Sequence, residues 1–259
     1  MSQLLARSLI IIRIYLKTLF AYPREILASY LTVPIQLIVM VSLFEYLSKF
    51  YVGKISYAIS LCYIVLAAFY TRIVFLEDVS TTIASDIFKG LIDKYLTKPM
   101  NILTPYLYRS YARRLFGLSI VVPISLISMH ILGLKISPYR MLLFIALSHL
   151  SYALNFLINC IIGFLSVYTS RVYGIKEIID TVSFVLSGQL LPIYMYPGPM
   201  KLLAIYTPFQ TIVYLPLYSL LVGVNLSMVL TSILYVLVLS LILYILIKEF
   251  NSRYESAMG

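Results

Sequence analysis

Six apolar runs of roughly 20 residues each follow one another along the chain. An α-helix rises about 1.5 Å per residue, so each run can cross the hydrocarbon core of a bilayer, which is about 30 Å thick. We therefore predict an all-α, polytopic membrane protein with six transmembrane helices, in which residues 1–259 form a single transmembrane domain. The predicted spans are residues 26–47, 56–75, 115–134, 141–169, 178–194 and 224–247.

The composition excludes a water-soluble globule. Of the 259 residues, 61% are hydrophobic and only 12% are charged, which leaves too little polar surface to cover a soluble domain. The 20 Lys and Arg outnumber the 10 Asp and Glu, but in a membrane protein basic residues first report the orientation of the loops. We therefore expect membrane lipid around this chain, and no nucleic acid as a partner.

The positions of the basic residues favour one orientation over its mirror image. With both termini in the cytoplasm, fifteen of the 20 Lys and Arg fall on the inner side. The five that remain outside are Lys49, Lys54, Lys135, Arg140 and Lys201. The sequence thus predicts a multi-pass protein of the cell membrane with both termini cytoplasmic.

The first 24 residues have a helical pattern with one basic side. Arg13, Lys17 and Arg24 lie within about 40° of one another on a helical wheel, and leucines and isoleucines cover much of the rest. This pattern predicts an interfacial amphipathic helix over residues 1–24, with its basic side at the lipid headgroups. A simple charged leader to the first span is the alternative.

Charged residues within the predicted spans are too few to drive transport or catalysis. The carboxylates nearest the spans all lie at or near helix ends: Glu25, Glu45, Glu77, Asp180 and Glu249. This leaves His149 as the one mid-membrane candidate for proton coupling. No cluster of acids, bases and nucleophiles shares one depth, and the sequence contains no P-loop. We predict no catalytic residue, cofactor or metal site in this chain, and an energy source in another polypeptide.

The first inner loop, residues 77–114, is the longest and contains an amphipathic pattern. Its apolar residues recur every four positions at Ile83, Ile87, Leu91 and Tyr95. The pattern predicts a helix over residues 83–96 that Pro99 ends, with Gly90 in its middle as a bend or a close approach. The apolar face offers a surface to a partner protein. A helix that lies on the bilayer is the alternative.

A second irregular segment interrupts the apolar runs. The stretch GQLLPIYMYPGP, residues 188–199, holds two Gly and three Pro, and five of the 11 prolines lie within residues 192–216. Irregular backbone at membrane depth requires shielding by protein or a water-filled cavity, because unsatisfied amides in lipid are costly. The fifth span is therefore expected to end early, and the apolar residues after it are unsuited to a simple aqueous loop.

Both irregular segments resemble the permeases of ABC-2-type ATP-driven exporters. Residues 85–101, SDIFKGLIDKYLTKPMN, are similar to the segment that follows the second span of these permeases. Residues 187–216 are similar to their pattern of Gly, an apolar run with Pro, a second Pro and then Pro-Phe. The first match rests on Asp86, Lys89, Gly90, Leu96, Lys98 and Pro99. The second rests on Gly188, Pro192, Pro197, Pro208 and Phe209.

The resemblance implies a function as the transmembrane subunit of an ABC exporter, with half of a substrate pathway in each chain. It implies two kinds of partner, namely separate ABC ATPase subunits, which bind ATP and Mg, and a second copy or a related permease in a dimer. An ion-coupled secondary transporter, or a membrane-bound enzyme or scaffold, is the alternative.

The resemblance also implies two groups of functional residues. The inner helix would couple the chain to the ATPase through Ile83, Asp86, Ile87, Lys89, Gly90, Asp93, Lys98 and Pro99. Residues 197–222 would form an outer re-entrant helical hairpin before the last span. An outer gate would comprise Gly188, Pro192, Pro197, Pro199, Pro208 and Phe209.

Overall fold

The computed structural model describes residues 12–17, 30–49, 55–74, 79–92, 101–135 and 137–258. All regular secondary structure within these ranges is helical, which confirms the predicted all-α class. Residues 12–17 are helical, and the rest of the predicted interfacial helix over residues 1–24 lies outside the described residues.

Nine principal helices follow one another in the described part of the chain. They are α1 Val33–Ser48, α2 Tyr57–Val74, α3 Val79–Phe88, α4 Thr104–Ile131, α5 Pro138–Phe164, α6 Val172–Leu186, α7 Gly198–Ile205, α8 Tyr214–Leu221 and α9 Leu226–Met258. Short 3₁₀ turns at Leu165–Val167, Ile193–Met195 and Pro208–Thr211 connect the later helices.

Three of these helices are long and apolar enough to cross a membrane. The membrane-length segments are Thr104–Ile131, Pro138–Val167 and Leu226–Ser252. Val33–Ser48 and Tyr57–Arg72 are shorter apolar helices, and part of the predicted first span, residues 26–29, lies outside the described residues. Three of the six predicted spans thus correspond to membrane-length helices.

Helix α6 differs from the predicted fifth span. It occupies Val172–Leu186 rather than residues 178–194, and it carries Lys176 paired with Asp180. The helix ends before Gly188, whose positive φ of 79° turns the chain out of the helical path. The apolar residues after Gly188 therefore do not continue the helix. Their hydropathy alone places them in the same predicted span, residues 178–194.

Helix α4 begins well before the predicted third span. It starts at Thr104 rather than near Leu115, with a proline in its first turn and the Asn101 side chain accepting a hydrogen bond from the Leu103 amide. The basic residues over 109–114 had placed this stretch in the inner loop, residues 77–114. These residues are helical in the structure, and a helical conformation is compatible with a position on the inner side of the membrane.

The core has two main parts. In the larger part, α8 packs against α5 and α2, and α1 packs against α2. In the smaller part, α3 packs against the C-terminal half of α5, and Leu243 and Phe250 of α9 join the same cluster. Helix α5 takes part in both, so it connects the region around α3 with the region around α8.

Helix α3 is shorter than the sequence predicts. It ends at Phe88 rather than at Leu96, and Gly90 has a positive φ of 66°. The Leu91 amide donates to the Asp86 carbonyl and the Gly90 amide donates to the Ile87 carbonyl, which is the Schellman arrangement at a helix C-terminus. Gly90 therefore ends the helix and is not a bend within it. Gly90 lies in the middle of the apolar pattern. A glycine at such a position can end the helix that the first half of the pattern forms.

Candidate functional site

Helix α3 lies directly on the backbone of α5. Its buried residues are Val79, Ser80, Ile83 and Ala84. A Cβ atom placed on Gly163 of α5 would lie 2.8 Å from Cβ of Ile83 and 3.1 Å from the carbonyl oxygen of Ser80. No side chain larger than that of glycine fits there unless α3 moves away. This contact fixes α3 against the membrane-length helix.

Three of the predicted coupling residues are used inside the chain. Ile83 is fully buried, and Ile87 is half-buried beside the cluster that includes Phe156 and Phe164. A carboxylate oxygen of Asp86 accepts a hydrogen bond of 2.7 Å from the Tyr106 hydroxyl of α4. These residues hold α3 in place. Ile83 and Ile87, two of the recurring apolar residues, therefore pack within this chain.

The exposed end of α3 is apolar. We call residues 88–91, which comprise Phe88, Lys89, Gly90 and Leu91, the α3 tip. Phe88 is 50% exposed and Leu91 is 44% exposed, and Lys89 and Gly90 are exposed between them. Leu91 belongs to the predicted apolar face, but neither Phe88 nor Leu91 is among the predicted coupling residues. Asp93, Lys98 and Pro99 lie outside the described residues.

The proline-rich segment, residues 187–222, begins with a close contact to α2. The Tyr63 hydroxyl donates a hydrogen bond of 2.8 Å to the Gly188 carbonyl, and a Cβ atom on Gly188 would lie 2.8 Å from that hydroxyl oxygen. The Tyr214 amide donates to the Ser187 carbonyl. Gly188 is therefore required both by its positive φ and by the closeness of Tyr63.

The predicted gate residues have different positions in the proline-rich segment. Pro192 is buried and precedes the 3₁₀ turn Ile193–Met195, whereas Pro197 and Pro199 are exposed at the start of α7. Pro208 opens the 3₁₀ turn Pro208–Thr211, and Phe209 beside it is half-buried. The prolines thus start new helical turns, for which their fixed φ and missing N–H suit them.

Hydrogen bonds attach the segment to the surrounding helices. The Ser151 hydroxyl of α5 donates to the Ile212 carbonyl at 2.6 Å, and Arg140 donates to the Leu221 carbonyl at 3.1 Å. The Tyr235 hydroxyl of α9 donates to the Tyr206 carbonyl at 2.6 Å. The Tyr196 hydroxyl donates to the Val185 carbonyl, and burial raises the pKa of this hydroxyl to about 12.

Helix α5 contacts both candidate regions. Gly163 touches α3, and Ser151 holds the proline-rich segment at Ile212. At about 1.5 Å per residue, the two contacts lie roughly 18 Å apart along one helix. One continuous helix, Pro138–Phe164, therefore connects α3 with the proline-rich segment.

A family model described as ABC-2 family transporter protein matches residues 27–258. The chain belongs to the ABC-2 transporter family. No curated protein is significantly similar to it. ABC-2 permeases are membrane components of transporters and generally work with ABC ATPase subunits. This chain is therefore a multi-pass membrane protein and a transport permease, as the resemblance predicted.

The ABC-2 permease offers no metal cluster within the described residues. There, no group of three or more His, Cys, Asp and Glu lies close enough together to hold a metal ion. Cys62 and Cys160 are both free and buried.

Proposed function

We propose that this ABC-2 permease is the transmembrane subunit of an ABC exporter in the cell membrane, powered by separate ATPase subunits that bind ATP and Mg. The single observation that carries the proposal is the α3 tip. Phe88 and Leu91 are exposed at the end of α3, whereas the buried residues of the helix pack against α5. Such an end suits a groove on another protein, because exposed apolar patches mark interaction surfaces.

Movement of the ATPase subunits would reach the pathway through α3 and α5. A displacement of the α3 tip would be transmitted at Gly163, because α3 is packed so closely there that it could not move without moving α5. Of the eight predicted coupling residues, Lys89 and Gly90 would touch the ATPase, whereas Ile83, Asp86 and Ile87 would support the tip from inside. Asp93, Lys98 and Pro99 keep their predicted coupling role in the proposal.

The proline-rich segment would form a re-entrant hairpin on the outer side. Helices α7 and α8 have eight residues each, which gives each a length of about 12 Å, too short to cross a bilayer. Helix α8 is largely buried against α2 and α5, so its backbone is shielded as membrane depth requires. Gly188 and the prolines at 192, 197, 199 and 208, with Phe209, would shape the outer gate.

A dimer would complete the pathway. The proposed chain has six spans with both termini in the cytoplasm and supplies half of a route, so a second copy or a related permease supplies the other half. Two-fold symmetry is the default for such a pair, because closed symmetric assemblies predominate among oligomers.

The test places a charge on the α3 tip. Phe88→Glu and Leu91→Glu should each abolish copurification with the ATPase and lower its permease-dependent ATP turnover at least about tenfold, because a buried unpaired carboxylate is costly. The measurement uses ABC ATPases of the same organism, co-expressed one at a time with the permease, beginning with any encoded beside it.

The control for this test is Tyr139→Glu. Tyr139 is 69% exposed and lies at the opposite end of α5. This variant should copurify normally with the same ATPase. Normal copurification and ATP turnover of both tip variants, with an ATPase that binds the unchanged permease, would contradict the coupling role of α3.

A further inference from the structure

Arg114 lies inside a membrane-length helix and is almost completely buried. It belongs to α4, about 15 Å along the helix from Thr104, and only 2% of its surface is exposed. Charged side chains within spans are rare, and they commonly mark sites for ions or substrates. The sequence predicts Arg114 in the inner loop, and only the tertiary structure shows that its side chain is buried.

Three helices converge on the guanidinium group. Nη2 of Arg114 donates to the Tyr70 hydroxyl at 2.8 Å and to the Ser148 carbonyl at 2.7 Å. The carbon of the guanidinium lies 5.0 Å from the centre of the Tyr70 ring. These contacts orient the side chain, but every hydrogen-bond acceptor among them is neutral.

Two donors of Arg114 are left without a hydrogen-bond partner in the part of the chain that the structure describes. Nε and Nη1 are buried and make no hydrogen bond within the described part of the chain. Among the described residues the guanidinium has neither a counter-ion nor partners for two of its nitrogens, and burying a charge in this way is strongly unfavourable. The group therefore has unused capacity for an anionic acceptor, and negatively charged oxygens make the strongest hydrogen bonds with it.

A second buried polar group lies in the proline-rich segment. Both amide atoms of Gln210 are buried without a hydrogen-bond partner among the described residues. The next residues attach to α5, where Ser151 holds the Ile212 carbonyl one helical turn from Ser148, the partner of Arg114. Unsatisfied polar groups thus occur both at Arg114 and in the segment proposed as the outer gate.

We propose that Arg114 recognises the anionic group of the transported compound, a carboxylate or a phosphate on an apolar body. The anionic oxygens accept hydrogen bonds from Nε and Nη1, while the aromatic rings of Tyr70 and Phe144, 5.8 Å apart, offer apolar surface beside them. The contacts to Tyr70 and Ser148 orient the guanidinium for this interaction. The inference rests on the proposed exporter function, because it assigns a substrate class to that pathway.

The test uses the full-length permease in nanodiscs of zwitterionic lipid, without any ATPase. Octyl phosphate is the probe, and octanol is its uncharged counterpart. The concentration dependence of the thermal unfolding midpoint gives apparent affinities. Octyl phosphate should bind to Arg114→Gln at least about tenfold more weakly than to the unchanged permease, since hydrogen bonds to a charged group are lost. Octanol should bind equally to both.

Two further variants separate recognition from folding. Arg113→Gln removes the neighbouring, less buried charge on α4 and should leave octyl phosphate binding unchanged. Tyr70→Phe removes a neutral acceptor but keeps the ring over the guanidinium, so it should bind octyl phosphate at least as tightly as the unchanged chain. Equal binding by Arg114→Gln, or loss of binding in Tyr70→Phe with the fold intact, would overturn the proposal.

A final arm distinguishes a transported compound from a resident lipid, since both can present a phosphate. The same titration is repeated in nanodiscs that contain phosphatidylglycerol. Retained octyl phosphate binding supports the transported compound, whereas its loss assigns the site to the bilayer's own headgroups and overturns the transport role. Because no ATPase is present, failure here leaves the coupling proposal untouched, and failure of coupling leaves this binding result standing.

Discussion

Two glycines near α3 are required by the structure of this permease for different physical reasons. These are Gly90 and Gly163, which both belong to the region around α3. Gly90 has open space around its Cα and needs only its positive φ, whereas Gly163 has an ordinary helical backbone and needs the missing Cβ. Substitutions at the two positions should therefore fail in different ways.

Gly90→Ala should loosen the last turn of α3 without a steric clash. An alanine at a φ of 66° costs about 1 kcal/mol or slightly more, which corresponds to about a tenfold increase in local opening. Hydrogen exchange at the Gly90 and Leu91 amides, followed by mass spectrometry of a peptide over residues 83–92, measures this. Gly174→Ala is the control, because Gly174 has open space and a negative φ within α6, and it should leave exchange unchanged. Equal exchange in Gly90→Ala and the unchanged chain would refute the capping role.

At the scale of elements, the packing of α3 on α5 is the contact on which coupling depends. The distances at Gly163 involve Cβ of Ile83 and a backbone oxygen of α3, neither of which can rotate away. An added methyl group must therefore shift the whole helix.

Gly163→Ala should displace α3 and weaken its packing by about 1–3 kcal/mol, the usual cost of overpacking. Faster hydrogen exchange over residues 79–88, together with reduced permease-dependent ATP turnover, would report the displacement. Gly198→Ala is the matched control, since a Cβ there meets nothing within 4 Å. If Gly163→Ala exchanges like the control, α3 does not rest on α5 as described.

At the scale of the whole molecule, α5 joins the region proposed to face the ATPase with the segment proposed to face the exit. The hydrogen bond from Ser151 to the Ile212 carbonyl and the contact at Gly163 belong to the same helix. This arrangement places the two predicted functional groups at separate levels of one bundle, as transport across a membrane requires. The depth of the proline-rich segment can be tested directly.

Cysteine labelling should separate the two ends of the proposed hairpin. In a chain with Cys62→Ser and Cys160→Ser, Lys201→Cys should react from outside with a membrane-impermeant thiol reagent. Ile212→Cys should be protected, because Ile212 is fully buried, and should become more reactive at a stage of the ATP cycle. Labelling of Lys201→Cys from the inner side only would reverse the topology, and constant full reactivity of Ile212→Cys would reduce the hairpin to an ordinary loop.

The sequence by itself determined the class of this protein and the places where its regular pattern breaks. The length of an apolar run decides whether its helix can cross a bilayer, and this length can be read directly from the sequence. The helical membrane class and the family were therefore predictable from the apolar runs and two motifs. The conformations required at Gly188 and at the prolines are also local, because they depend on φ and on the missing N–H.

The tertiary structure alone decided which partner each helical face meets. Apolar periodicity shows that Ile83 is covered, but the same pattern fits a partner protein, lipid or the chain itself, and the structure shows that α5 covers it. Likewise, hydropathy counted Arg114 as a loop residue because a charge lowers the local average. Its burial depends on Tyr70 and Ser148, which are distant in sequence and come together only when α2, α4 and α5 pack.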